Sequence, residues 1–314
     1  MSSPLLYLLF FFSGTSGLIY QVIWVRAFGN VFGNTVYSAS VVTAVFMLGL
    51  GLGSWWAGGY ADRQFRLDSN RPLKTYAYVE LGIGASGIAL AYLLPALEAA
   101  SPSISTYVSL ANGWQALSLS SMAARYALAI ILLGPITVLM GATLTLLIRT
   151  LVHLDLGIAS WRIGLLYGFN TAGAAAGALL VDFAFIPAFG LLATQCIAAL
   201  LNFVAAVGAL RLANAQEAGE QRRPSPAALG AEGAAERRRL LLTCGVLFCT
   251  GVLGMGLEIL WYRYLISMLS STRAVFSLLL GSILVAVWLG STFGGFVASR
   301  WRIKPASALM VAET

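Results

Sequence analysis

Residues 10–63 read FFFSGTSGLIYQVIWVRAFGNVFGNTVYSASVVTAVFMLGLGLGSWWAGGYADR, and residues 247–300 read LFCTGVLGMGLEILWYRYLISMLSSTRAVFSLLLGSILVAVWLGSTFGGFVASR. Aligned without a gap at an offset of 237 positions, the two stretches share glycines, serines, a tryptophan and arginines. Apolar composition alone would produce scattered leucine and alanine matches, so we interpret the second stretch as a second copy of the first. The shared pairs are Phe11/Phe248, Gly14/Gly251, Gly17/Gly254, Trp24/Trp261, Arg26/Arg263, Thr35/Thr272, Ser40/Ser277, Leu52/Leu289, Gly53/Gly290, Ser54/Ser291, Gly58/Gly295, Ala61/Ala298 and Arg63/Arg300.

The composition is typical of a membrane protein. The chain is 59% hydrophobic and 10% charged, and its mean hydropathy is +0.84. Its three cysteines lie within apolar runs, so they predict neither a disulfide framework nor a metal site. No Lys or Arg precedes Arg26 and no clear cleavage site follows, which indicates a retained first helix rather than a signal peptide. We therefore expect an all-α integral membrane protein, with no cofactor, no metal and no catalytic residues.

The apolar runs predict about eight transmembrane helices: a six-helix unit in residues 1–212 and the first two helices of a second repeat in residues 239–300. Residues 213–238 are rich in Ala, Glu, Gln, Arg and Pro, which predicts a cytoplasmic linker, and residues 301–314 form a tail. The polar and aromatic residues of about 99–120 predict a loop at the membrane surface. The predicted spans are roughly 4–27, 35–60, 75–98, 122–149, 164–186, 191–211, 239–263 and 273–298.

The basic residues orient these spans. Of the 19 Lys and Arg residues, 15 fall on one side of the predicted helices. The positive-inside rule makes that side cytoplasmic, so both termini are expected in the cytoplasm. The net charge of +7 then reflects topology, and we expect no nucleic-acid partner. The 15 residues are Arg63, Arg66, Arg71, Lys74, Arg149, Arg162, Arg211, Arg222, Arg223, Arg237, Arg238, Arg239, Arg300, Arg302 and Lys304.

Small residues spaced four apart recur within the spans. We interpret them as helix contacts, because small side chains let helices approach closely in lipid. On the first span, residues spaced by 3, 4 and 3 positions share a face that we expect to be buried against another helix. The small pairs are Gly49/Gly53, Ser54/Gly58 and Gly173/Gly177, and the shared face is Gly14, Gly17, Gln21 and Trp24.

Ionisable side chains within the spans are costly in hydrocarbon, so each needs a function or a partner. Two interpretations stay open: an acidic cavity that binds a cation, or pairing of Glu258 and Gln21 with arginines or helix ends across the repeat, which we prefer. A third alternative for Asp182 alone is that it simply reaches the outer interface. The candidate cation-binding or buried polar residues are Glu80, Asp182, Glu258 and Gln21, and the candidate pairing residues are Arg26 and Arg263. For Glu258 we expect a polar partner inside the bundle, supplied by Gln21, by Arg26 or by backbone groups near Gly14 and Gly17.

Several motifs together resemble one family. They are GLIYQVIWVR, GNTVYSAS, GLGLGSWWAGGYADR, GPITVLMGATLTLL and GLLYGFNTAGAAAGALL, the last followed by Pro187 and Gly190. The combination resembles the membrane domain of bacterial fused spermidine-synthase-like proteins, a major-facilitator-like region joined to an aminopropyltransferase domain. The resemblance covers most of residues 5–212 and resumes at 245–300, and it implies a location in the bacterial cytoplasmic membrane.

One segment is also similar to the cytoplasmic loop between helices two and three of major facilitator transporters. The matching residues are Gly59, Asp62 and Arg63. After Arg63 the sequence QFRLDSNRP lacks the further glycine and the dense basic run of that loop.

The resemblance implies a soluble α/β catalytic domain, with a glycine-rich nucleotide loop and paired aspartates, that these 314 residues do not contain. We therefore expect that the chain by itself does not make spermidine. Three functions remain: a non-catalytic membrane scaffold or anchor, which we prefer; a transporter-like protein that binds or moves a polyamine or another small cation; and the truncated membrane part of an aminopropyltransferase. The expected partners are the lipid bilayer and either other membrane subunits or further copies of this chain.

Overall fold

The computed structural model describes residues 3–32, 35–68, 70–104, 106–109, 115–151, 156–217, 234–269 and 274–301. This part of the chain is almost entirely helical, as the apolar runs predict. The elements are α1 (Ser3–Phe32), α2 (Thr35–Leu67), α3 (Arg71–Ile104), β1 (Tyr107–Ser109), β2 (Gln115–Leu117), α4 (Leu119–Leu151), α5 (Leu156–Leu180), a π-helical turn (Val181–Phe185), α6 (Ile186–Glu217), α7 (Ala234–Leu269) and α8 (Ala274–Trp301).

Seven helical segments in the described residues are long and apolar enough to cross a membrane, one fewer than the sequence predicts. The predicted spans 164–186 and 191–211 fall within a single segment, Arg162–Gln216, of 55 residues. They merge because the π-helical turn continues from α5 directly into α6. The backbone leaves the helical region at Gly190, whose φ of 76° favours glycine. Gly190 lies between the two predicted spans, so this kink divides the segment where the sequence predicts two helices.

The predicted surface loop contains a β-hairpin that was not predicted from the sequence. β1 and β2 pair antiparallel, with Val108 opposite Ala116. The Thr106 backbone N–H donates to Ser121 Oγ, 2.9 Å away, which ties the hairpin to the start of α4. The predicted linker is described only at its ends, where α6 continues to Glu217 and α7 begins at Ala234.

Glycines set the closest helix contacts. α2 packs most extensively against α4, α1 against α5, and α3 against α6. A Cβ at Gly49 would overlap Thr137, and one at Gly53 would overlap the carbonyl oxygen of Val138. Substituents at Gly173 and Gly177 would likewise meet the backbone of α1. These four positions therefore serve helix packing, since only glycine leaves room for the neighbouring backbone.

The buried apolar side chains form two clusters along the bundle. One contains Trp24 and Phe28 toward the C-terminal end of α1, and the other contains Leu6 and Phe10 toward its N-terminal end. On α3 and on α6, the residues of one cluster are separated in sequence from those of the other. Glu80 of α3 and Asn202 of α6 lie at these separations, and both are almost completely buried. A polar layer therefore lies at mid-depth in the bundle.

The two copies of the repeat differ in burial. In the first copy Trp24 is completely buried, whereas its counterpart Trp261 is 54% exposed. α7 contacts α8 and α2, but no residue of its most apolar 18-residue stretch is buried. One contact is Tyr262, which is buried edge-on against Phe276 of α8 with ring centroids 5.2 Å apart. α1 is thus a central helix, whereas most of the α7 surface is open.

Candidate functional site

A buried carboxylate connects the two copies of the repeat. Asp182 lies in the π-helical turn, and its side chain is fully buried. Arg26 Nη2 of α1 lies 2.6 Å from Asp182 Oδ1. From α8, the Ser277 hydroxyl donates to Asp182 Oδ2 at 2.5 Å. Both carboxylate oxygens therefore have partners, one from each copy, which offsets the cost of burying the charge.

A π-helical turn accounts for the position of this carboxylate. Such a turn adds a residue to the helix and shifts the side chains that follow it around the axis. Here the turn begins at Val181, immediately before Asp182, at the point where α5 leads into α6. π-Helical turns are frequently found at functional sites, so this carboxylate is a candidate for function as well as for structure.

A second carboxylate lies in the polar layer between α3 and α6. Glu80 is 0% exposed, and Asn202 Nδ2 donates to its Oε2 atom at 2.6 Å. Ser13 of α1 and Tyr76 of α3 lie beside the same carboxyl group. An isolated carboxylate would be very costly at this depth; the hydrogen bond from Asn202 reduces that cost, whereas the Oε1 atom of Glu80 accepts no hydrogen bond from the described residues.

Other polar groups extend this layer along α3 and α6. Gln195 Nε2 donates to the Gly87 carbonyl oxygen at 2.9 Å. The Tyr20 ring lies against Gly87, where a Cβ would overlap its hydroxyl group. Glycine at position 87 therefore makes room for a buried tyrosine and leaves its own carbonyl group open to the glutamine.

The two buried carboxylates are far apart. Glu80 lies beside Ser13 and Asp182 beside Arg26, and these two α1 residues are 13 positions apart. At about 1.5 Å per residue this separation is about 20 Å along the axis of α1. The two groups therefore occupy separate environments and do not form one acidic cavity.

The third acid, Glu258, has none of the partners expected from the sequence. It is half-buried on α7, and its Oε1 atom accepts no hydrogen bond from the described residues. Arg26 is paired with Asp182, and the Nε2 atom of Gln21, although that residue is 1% exposed, also lacks a partner among these residues. Donation from Gln21 or Arg26 to Glu258 is therefore wrong for this structure, because α1 and α7 do not present these side chains to each other.

The arginines of the repeat have different surroundings. Arg26 forms the ion pair with Asp182, and its side chain is 16% exposed. Arg263 is exposed and makes no ion pair with the residues that the structure describes. The arginine of the first copy therefore forms an ion pair with a carboxylate outside the repeat, whereas the arginine of the second copy forms none with the described residues.

The transporter-like loop motif forms an ion pair near one end of α2. Asp62 Oδ1 lies 2.9 Å from Arg149 Nε of α4, and the guanidinium group of Arg149 lies over the Phe65 ring, 4.3 Å from its centroid. Gly59 has open space beside it, and Arg63 is exposed. The contact fastens α2 to α4, and its exposed carboxylate makes it weaker than a buried pair.

Asn202, Ser277 and Arg125 were not identified as site residues from the sequence. A single asparagine within the apolar run of α6 is a signal that could have indicated Asn202. Ser277 gives no such signal, because a serine is common in membrane helices. Arg125 is 6% exposed and donates to the Phe32 carbonyl oxygen at 2.8 Å, beside a cavity of about 350 Å³.

No protein-family model matches this sequence, and neither a curated protein nor a solved structure is significantly similar to it. The class is therefore assigned from the fold: within the described ranges, seven long apolar helical segments, joined by buried polar contacts, define an all-α multi-pass membrane protein.

Proposed function

We propose that this protein is a non-catalytic membrane scaffold that supports a catalytic domain or a larger membrane complex. The observation that carries the proposal is the contrast between the two copies of the repeat. α1 is enclosed by neighbouring helices, whereas α7 has an exposed tryptophan and an exposed arginine at the equivalent positions and a half-buried glutamate at the position equivalent to the buried Gln21. Lipid can cover the apolar side chains of α7, but it satisfies the polar groups poorly, and a protein partner satisfies them better.

The resemblance to spermidine-synthase-like membrane domains supports the same function. In such an arrangement the membrane unit positions an aminopropyltransferase-like domain. The proposed location is the bacterial cytoplasmic membrane, with both termini in the cytoplasm, as the distribution of Lys and Arg favours.

A test of this function is to isolate the full chain at its native level from membranes in lipid nanodiscs. We expect a complex larger than the 33.3 kDa chain that contains a second membrane polypeptide at constant stoichiometry. Deletion of the gene should lower the membrane content of that second polypeptide, because a scaffold stabilises what it holds. A chain that is isolated alone, with no change in other membrane proteins on deletion, would contradict the proposal.

A second candidate is a transporter-like protein that binds or moves a polyamine or another small cation. The buried Glu80 with its polar neighbours favours it, since an ionisable residue within a span marks ion pathways in many membrane proteins. The separation of Glu80 from Asp182 weighs against one shared cation site. Uptake of radiolabelled spermidine by proteoliposomes, lost in a folded Glu80→Gln variant, would support transport over the scaffold.

A further inference from the structure

α5 lies between helices from the two copies of the repeat. On one side, a Cβ at Gly14 of α1 would overlap the carbonyl oxygen of Asn170. On the other side, a Cβ at Gly281 of α8 would lie 2.6 Å from Leu179. α5 is thus clamped by the first helix of copy one and the second helix of copy two.

In the repeat, α1 corresponds to α7, and α8 corresponds to α2. The position equivalent to that of α5 therefore lies against α7 and α2, which contact each other, and no described helix occupies it. Gly251 of α7 corresponds to Gly14, and no atom of the described residues lies within 4 Å of a Cβ at that position. On α8, Thr292 contacts α5 at Gly168, and its counterpart on α2, Trp55, is 80% exposed. The residues of α1 and α8 that contact α5 therefore have counterparts on α7 and α2 that are not covered by the described residues.

The charges follow the same relation. Around Asp182 the first copy supplies Arg26 and the second supplies Ser277. Their counterparts are Arg263 on α7 and Ser40 on α2. Arg263 makes no ion pair within the described ranges, and the Ser40 hydroxyl donates to the Val36 carbonyl oxygen of its own helix at 2.9 Å. One carboxylate, placed as Asp182 is placed, would complete both.

We propose that α7 and α2 form a docking surface for a transmembrane helix of another membrane protein, and that this helix carries an aspartate or glutamate that binds Arg263 and Ser40. This inference rests on the proposed scaffold function and names the chemistry of its partner. Further copies of the chain do not fit as well. Asp182 is paired with Arg26, and Glu80 is completely buried inside the bundle, so neither is available to another chain. Glu258 lies on the docking surface itself, about 7–8 Å from Arg263 along α7.

The probe for this surface is a synthetic, fluorescently labelled peptide of residues 161–190, which contains Gly173, Gly177 and Asp182. The receptor is the full chain in lipid nanodiscs. We expect the peptide to bind, and we expect Asp182→Asn in the peptide or Arg263→Gln in the chain to weaken binding about tenfold. The two changes should be non-additive, because both remove the same contact. Arg263 is exposed, so its glutamine variant should fold normally, which a melting curve checks.

Four outcomes would overturn the inference. The first is no binding, and the second is binding that neither change affects. Additive effects are the third, because Arg263 would then act on another group, such as a lipid phosphate. The fourth is loss of binding in Arg26→Gln but not in Arg263→Gln, which would mean that the peptide displaces α5.

A second measurement separates this inference from the scaffold function. The native complex of the Arg263→Gln chain should lose its second polypeptide. If that complex persists unchanged, the docking surface is wrong while the scaffold function stands. If dimers of this chain form instead and Arg263→Gln dissociates them, a second copy occupies the surface and the inference is overturned.

Discussion

At the scale of single residues, two aspartates contact arginines in different surroundings. The Asp182 side chain is fully buried, forms an ion pair with Arg26 and accepts a hydrogen bond from Ser277, whereas Asp62 is 57% exposed and contacts one arginine. Removing one member of a buried pair leaves an uncompensated charge, whereas solvent screens the loss of an exposed partner. The two aspartates should therefore differ strongly in their contribution to stability, although each contacts an arginine.

We expect Asp182→Ala to lower the free energy of unfolding by about 3–5 kcal/mol, because Arg26 and Ser277 both lose their partner. The matched control, Asp62→Ala, should cost about 0–1 kcal/mol. Reversible unfolding by SDS titration in mixed micelles measures both. Equal losses for the two variants would show that the Asp182 contact does not stabilise the native bundle.

The residue scale is also where sequence reasoning fell short. Isolated acids and amides in apolar spans could be recognised as candidate residues, because their burial is costly whatever their neighbours. Their partners could not, since Ser277 lies 95 positions after Asp182 and Asn202 lies 122 positions after Glu80. The Glu258 prediction failed for the same reason: matching positions in a repeat specify equivalence, not contact.

At the scale of elements, close approach of backbones decides which helices pair. α2 has glycines at every second position, and successive glycines lie on different faces of the helix. A Cβ at Gly53 would overlap the backbone of α4 at Val138, whereas a Cβ at Gly51 would meet none of the described residues within 4 Å. The small-residue pattern predicts that a contact exists, and the partner helix is specified only by the folded chain.

We expect Gly53→Ala to destabilise the protein by about 1–3 kcal/mol, because a backbone atom cannot move aside and the two helices must separate. Gly51→Ala should be neutral or slightly stabilising, since alanine has the higher helix propensity. Thermal unfolding in detergent, followed by circular dichroism, compares the two variants. A Gly51→Ala variant as unstable as Gly53→Ala would contradict the packing of α2 on α4.

Element boundaries could be predicted only where hydropathy changes. The predicted spans overlap each long helix, and the predicted separation of 164–186 from 191–211 falls at the kink, where Gly190 is non-helical. The π-helical turn just before it was not predicted. The short β-hairpin was missed because its strands have three residues each, too few to show a period.

At the scale of the whole molecule, topology rests on the distribution of basic residues. Most Lys and Arg side chains fall on one side of the predicted spans, which favours the proposed orientation. Burial adds an independent feature: α1 is central and α7 peripheral, although their sequences are related. Sequence similarity within a chain therefore predicts similar helices without predicting similar environments.

A reporter that fluoresces only in the cytoplasm should give signal when it is fused near Ala227 and none when it is fused near Asn112, because the basic residues flank the first position. An alkaline phosphatase fusion, which is active only outside the cytoplasm, is the matched control and should give the opposite pattern. Reversed results from both reporters would invert the proposed orientation.

The contacts of Asp182 with Arg26 and Ser277 also limit the order in which the protein can assemble during synthesis. Arg26 and Asp182 can meet once the π-helical turn has left the ribosome, whereas Ser277 is made 95 residues later. At about 5–20 residues per second, this delay lasts about 5–20 s. During that interval the first six helices can assemble around a carboxylate that has one oxygen bonded and the other open. The last two helices then join a bundle that already has a place for them, so the order of translation matches the order in which the contacts can form.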